Sequence, residues 1–384
     1  MRFELATPTH VVFGAGVLRE VGSIAREQGQ RALVVVGRTS ERAAPLLDAL
    51  KRQGVASVVF SVQGEPTLAA VREGCARVKD EDCDCVVGFG GGSAIDTAKA
   101  IAALSTNGGD PLDYVEVIGR KQPLARSPLP WIAIPTTAGT GAEVTRNSVL
   151  TSPGHKLKVS LRSPFLPARA AIVDPELLVS LPPEVIAAGG LDALTQLVEP
   201  FVSVRANPLT DALCREGISR SARSLRRAYD GDLDAAVRQD LALASLLGGL
   251  ALSNAGLGAV HGFAAAIGGS FQAPHGAVCA ALLPATMEIN ARALAARAPS
   301  SAALARHTEI AALVTGQPGA SIAAGIAWVR ALCTALHVSG LTRWGVTEVD
   351  VGPLVDKAHN ASSMRGNPID LADDELKEIL THSL

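Results

Sequence analysis

Short runs of β-branched and apolar residues alternate along the first half of the chain with stretches whose apolar positions recur at helical spacing. Arg31 to Gly37 reads RALVVVG, a strand closed by glycine; Ser40 to Gln53 has helical spacing; Val55 to Phe60 reads as a second strand. This is a βαβ unit. The alternation continues with a helix around Leu68 to Val78, the apolar strand Cys85 to Phe89, a glycine run, and a helix from about Ala94 to Leu104. A polar, proline-bearing stretch from Asn107 to Pro130 leads to a buried strand, Trp131 to Pro135, and a last strand, Ala170 to Asp174, precedes Pro175. Strands separated by helices imply a parallel sheet covered on both faces. From Pro183 onward Ala, Leu and Arg recur at helical spacing, with breaks expected near Asn207-Pro208, Gly231, Gly268-Gly269, Pro274, Pro299 and Gly316 to Pro318. The pattern predicts an α/β N-terminal domain, residues 1–178, followed by an all-α C-terminal domain, residues 179–384.

Composition narrows the partners. Lys and Arg number 35 against 37 Asp and Glu, with the two signs interspersed, which argues against a nucleic-acid or anionic-membrane footprint and for a small-molecule substrate. Cys75, Cys83, Cys85, Cys214, Cys279 and Cys333 show no CxxC spacing, and the opening MRFELATPTH has no cationic segment leading into an apolar one, so a reduced, cytoplasmic protein is expected. The most apolar stretch, Leu241 to Gly269, is interrupted by Ser245, Ser253, Asn254 and His261, and reads as a buried helix pair rather than a membrane span.

Gly88-Phe89-Gly90-Gly91-Gly92-Ser93 lies between an apolar strand and a helix. In that setting glycines let the backbone approach a pyrophosphate, and the helix start offers N–H donors that have no partner within the helix. A second turn, Pro135-Thr136-Thr137-Ala138-Gly139-Thr140-Gly141, also follows a strand, and its hydroxyls suit phosphate, ribose or nicotinamide amide. Where many dinucleotide sites carry an acidic residue for the adenosine ribose, this chain reads Gly37-Arg38-Thr39-Ser40. No carboxylate there repels a 2′-phosphate and Arg38 can pair with it, so NADP is preferred to NAD.

In these residues the chain resembles the iron-containing alcohol dehydrogenases, which share the dehydroquinate synthase-like fold with glycerol dehydrogenase. The resemblance spans nearly the whole chain: Val12-Phe13-Gly14, the run GGGSAIDTAK from Gly90 to Lys99, PTTAGTGAE from Pro135 to Glu143, Gly190 to Thr195, His261-Gly262, and Pro274-His275-Gly276. It implies an N-terminal NAD(P)-binding domain, a helical domain holding one divalent metal such as iron or zinc, and a homodimer. It places Gly91, Gly92, Ser93 and Asp96 at the pyrophosphate and Thr136, Thr137, Thr140 and Lys158 on the rest of the dinucleotide, and puts Gly37 where NAD-preferring relatives carry aspartate.

Asp192 and Gln196 are four residues apart on an expected helix, so they share a face on which two donors can chelate an ion. His261 and His275 are expected on separate elements that converge on them. The resemblance makes these four residues the metal set, with Gln196 standing where relatives have histidine and offering only a neutral amide oxygen, a weaker donor. Ala265 and Ala285 also replace histidines common in relatives. With Ala265 in place of an imidazole linked to proton relay, no general acid is identified. The expected activity is metal-assisted hydride transfer between nicotinamide and a small alcohol or aldehyde. Three alternatives remain open: a metal-free keto acid reductase resembling maleylacetate reductase, a non-catalytic cofactor-binding homologue, and a lyase resembling dehydroquinate synthase, for which Arg146, Lys156, Lys158 and Arg162 are the nearby basic cluster.

Overall fold

The apolar runs of the first half pair into a six-stranded, wholly parallel sheet in a computed structural model that describes residues 2–8, 10–155 and 157–384. Its strands are β1 (Val11–Phe13), β2 (Arg31–Val36), β3 (Ala56–Ser61), β4 (Cys85–Gly90), β5 (Trp131–Pro135) and, after an antiparallel hairpin of β6 (Asn147–Ser152) and β7 (Leu157–Arg162), β8 (Ala170–Val173). The order across the sheet is β1-β8-β5-β4-β2-β3.

Helices α1 (Val21–Gln28), α2 (Ala44–Arg52), α3 (Leu68–Asp80) and α4 (Gly92–Asn107), with the short α5 (Pro111–Tyr114), accompany the strands. Because side chains alternate along a strand, β2 sends Leu33 and Val35 into one core with Val86, Ile101 and Trp131, and Val34 and Val36 into another with Leu46, Leu50, Val87 and Ile132. Two buried faces explain why these strands read as unbroken apolar runs.

The order carries a functional consequence. From β2 the chain builds outward to β3, then crosses back to lay β4 on the other side of β2 and continues away through β5. The carboxyl ends of β2 and β4 therefore flank the point where the winding reverses, which is where open α/β sheets leave a ligand crevice.

The reading of the sequence missed α1, α5 and β7, and also β1 and β6, for which the reasons are plain. β1 is three residues long, too short to show a period. In β6 the buried positions are Ser148, Leu150 and Ser152, so burial alternates without apolar alternation.

The chain divides into two compact units, Ala6–Ser180 and Leu181–Leu384, the latter joined by residues 2–5. The second is helical: α6 (Pro183–Val202), α7 (Pro208–Tyr229), α8 (Ala235–Ala255), α9 (Ala259–Ser270), α10 (His275–Arg297), α11 (Ala302–Thr315), α12 (Ile322–Ala335), α13 (Val351–His359) and α14 (Asp373–Thr381). α6 packs against α7, α8, α10 and α11 and is buried without interruption from Gly190 to Val202. Gly190 and Gly217 make room for Leu225 and Leu197 at the contacts between α6 and α7.

The apolar stretch beginning at Leu241 is a helix pair, broken at Gly256, where φ is +73° and glycine is the residue that adopts it without strain. α6 and α8 are long and apolar enough to cross a membrane, but 83% and 56% of their apolar windows are buried inside the protein, as in core helices. The breaks expected near Gly268-Gly269 and Pro274 bracket the turn between α9 and α10: α9 ends at Ser270, and Pro274, lacking an N–H, stands just before α10, which begins at His275.

Candidate functional site

In the N-terminal unit the two glycine- and hydroxyl-rich turns face each other. α4 begins at Gly92 with no side-chain cap, so the N–H donors of its first turn are left for a ligand. A Cβ on Gly91 would meet Thr137 Oγ1 at 3.3 Å, and one on Gly92 would meet Thr140 at 2.8 Å, so both glycines are needed for the turns to approach. Thr136 is buried and its N–H donates to Gly90 O at 2.9 Å, joining the end of β5 to the end of β4. A Cβ on Gly90 would come within 3.5 Å of Gly37 N, which places Gly37 beside the glycine run at the winding reversal. A Cβ on Gly37 itself would meet nothing within 4 Å, and Arg38 is exposed next to it.

The remaining residues expected at the dinucleotide have internal partners. Ser93 Oγ donates to Gly64 O, so its contribution to an anion is its backbone N–H. Asp96 accepts from Val149 N at 3.1 Å and lies 3.4 Å from Lys99 Nζ. Lys99 is fully buried and donates to Ala142 O, Thr145 Oγ1 and Asn147 O, binding α4 to the segment after the second turn. Burial pushes the Lys99 amine down and the neighbouring Glu143 carboxyl up to about 7. Lys158 pairs with Glu65 at 3.0 Å. Lys156 lies outside the described residues.

In the helical unit Asp192, Gln196 and Glu199 occupy successive turns of one face of α6 and are all buried. His261 stands in the first turn of α9 and His275 opens α10. The two imidazoles converge from separate helices, with ring centroids 5.4 Å apart. Gly276 makes this possible, because a Cβ there would collide with the carbonyl of Ala188 on α6.

Asp192 Oδ1 lies 3.4 Å from His261 Nε2 and 3.8 Å from His275 Nε2. Cys279, one turn into α10, adds its sulfur 3.7 Å from His275 Nε2 and 3.9 Å from His261 Nε2. One ligand atom from each of Asp192, His261, His275 and Cys279 falls within 4.8 Å of the others. Glu199 completes the arrangement from behind: its Oε2 is 2.6 Å from His261 Nδ1 and its Oε1 accepts from Val260 N at 2.7 Å. Burial works to raise the Asp192 carboxyl, yet the neighbouring His275 and His261 imidazoles and the Gln196 amide hold it below its ordinary value.

The donor set fits a metal ion. Asp192 Oδ1 and Gln196 Oε1 are buried and, among the described residues, have no hydrogen-bond partner, which is costly for polar atoms unless something else binds them. Cys279 and Glu199 were not singled out from the sequence. Their only signal was helical spacing, Cys279 four residues after His275 and Glu199 seven after Asp192, and such spacing means little until a partner element is known.

The family description "Iron-containing alcohol dehydrogenase" matches residues 8–175, and "Fe-containing alcohol dehydrogenase family, C-terminal" matches residues 186–384. Alcohol dehydrogenase 4 of Schizosaccharomyces pombe is 35% identical over 383 residues, covering 98% of this chain and 88% of that protein. Choline dehydrogenase of Bacillus subtilis is 34% identical, covering 96% and 91%. A crystal structure of 1,3-propanediol oxidoreductase superposes over 100% of both chains with a TM-score of 0.92 at 32% identity.

Proposed function

From the premise that this chain belongs to the iron-containing alcohol dehydrogenase family and is an oxidoreductase acting on CH–OH groups, we propose that it moves hydride between NAD(P) and a small primary alcohol or its aldehyde, assisted by one divalent metal. The observation that carries this reading is the buried, hydrogen-bond-free Asp192 Oδ1 facing His261 and His275. When bound, the ion supplies Lewis acidity to a substrate oxygen.

The chain's own groups account for the rest. Asp192, His261 and His275 are the protein donors. Glu199 accepts a hydrogen bond from the Nδ1–H of His261, so that the Nε2 lone pair faces Asp192. In the other unit, the uncapped start of α4 and the close approach of Gly91 and Gly92 to Thr137 and Thr140 suit a pyrophosphate, while the open space at Gly37 beside Arg38 suits the extra phosphate of NADP. The substrate class is supported by the relatives' names, since choline and 1,3-propanediol are both primary alcohols.

The test is metal per chain, by mass spectrometry on protein purified without chelator or metal-affinity carryover, beside a His275→Ala control. One ion per chain, lost in the variant, supports metal-assisted transfer. A site that stays empty after metal is added rejects it and favours the metal-free keto acid reductase reading, for which the amide at Gln196 is the supporting feature.

A further inference from the structure

We propose that Cys279 Sγ is the fourth protein donor at the metal centre, in place of the nitrogen that Gln196 does not provide. This rests on the metal-assisted reading above. The first argument is geometric. Ligand atoms of a tetrahedral ion with bonds of about 2.0–2.3 Å lie about 3.3–3.8 Å from one another. The separations in this centre are 3.4 and 3.8 Å from Asp192 to the two imidazole nitrogens and 3.7 and 3.9 Å from those nitrogens to the sulfur. Three helices thus bring four atoms within 4.8 Å of one another, with four of the six separations close to those of one coordination sphere.

The second argument concerns alternatives for the sulfur. Buried cysteines are commonly small apolar fillers, as Cys214 is here, or weak donors to a carbonyl, as Cys333 is to Ala280 O. Cys279 instead directs its sulfur at two imidazole nitrogens and belongs to the same cluster as a buried carboxylate. Gln196 stands one turn after Asp192 on the same face of α6, and its amide oxygen, without a hydrogen-bond partner among the described residues, is the weakest donor near the centre. Coordination forms a sulfur–metal bond as the S–H proton passes to solvent, with no change of oxidation state. A sulfur donor also shifts the preference of the site from iron toward zinc.

Cobalt(II) tests this without turnover. The metal-free protein is titrated with cobalt(II), and the near-ultraviolet sulfur-to-cobalt charge-transfer band is recorded for the native chain, for Cys279→Ser, and for the double variant Gln196→His, Cys279→Ala. The native chain is expected to show the band. Cys279→Ser should bind cobalt without it and about tenfold or more weakly, since even residues behind the ligands commonly matter that much. The double variant should regain affinity while remaining without the band, which separates loss of a donor from loss of fold. Cobalt bound by the native chain with no sulfur band overturns the role of Cys279 and leaves the metal reading intact. No cobalt or zinc binding at all overturns both.

Discussion

Glu199 Oε2 lies 2.6 Å from His261 Nδ1, while the same carboxylate takes the Val260 amide with its other oxygen. An anchor of this kind selects the tautomer whose Nε2 carries a lone pair and holds the ring in its ligating orientation. Glu199→Gln, which can donate to Nδ1 and favour the opposite tautomer, is expected to weaken zinc or cobalt binding about ten- to a hundredfold. Competition titration against a chromophoric chelator measures it, and an unchanged affinity would mean that the anchor plays no part in binding.

The proposed preference for NADP turns on what is absent at Gly37. A side chain there has open space, so Gly37→Asp is expected to fold normally. Its carboxylate would repel a 2′-phosphate and accept from a ribose hydroxyl. NADPH affinity should fall about tenfold or more, the equivalent of about 1.4 kcal/mol, with NADH affinity held or improved. Fluorescence titration with both nucleotides checks this; equal losses for the two would show that Gly37 does not face the ribose.

At Gly276 the constraint is backbone against side chain. Gly276→Ala drives a methyl into the Ala188 carbonyl and must move the first turn of α10, which carries His275. Overpacking of this kind costs about 1–3 kcal/mol. The expected outcome is a lower unfolding midpoint together with weaker metal binding, read by urea denaturation with and without zinc. Stability lost with metal affinity intact would show that His275 is positioned by other contacts.

His307 sets an acid limit. It is buried on α11 with both ring nitrogens lacking a partner among the described residues, and burial lowers its pKa from 6.5 to about 4. Between those values the unfolded chain holds a proton that the folded chain refuses, so stability falls as pH drops through that window and is unaffected by this group above it. The loss approaches roughly 3 kcal/mol at about 1.4 kcal/mol per pH unit. Replacing His307 by Leu should flatten that part of the profile, and an identical slope in denaturation curves of both proteins would reject the assignment.

Much of this organisation was legible in the sequence. Leu33 to Val36 read as a strand because both faces of β2 are buried, and the glycines after β4 read as a ligand turn because a strand precedes them and a helix follows. Asp192 and Gln196 were paired by helical spacing, and the two histidines by resemblance. What stayed hidden depended on tertiary partners. Asp96 and Lys99 lie inside a phosphate-type motif, yet their side chains lock α4 to β6 and to the second turn, contacts that a linear motif does not display. Glu199 gains meaning only when α9 brings His261 to it, and Cys279 only when α6 and α9 arrive opposite α10.

Exposure across the metal-type centre is uneven: the His275 side chain is 35% accessible, against 6% for His261 and 2% for Asp192. Under the metal-assisted reading this sets an order of events. His275 is the donor that an ion coming from water would meet first, with the enclosed carboxylate of Asp192 behind it. Loading and release rates would therefore depend most on that one imidazole, whereas the equilibrium constant would be shared among all the donors. A protein altered at His275 would exchange its ion on a different clock even where its affinity had been restored.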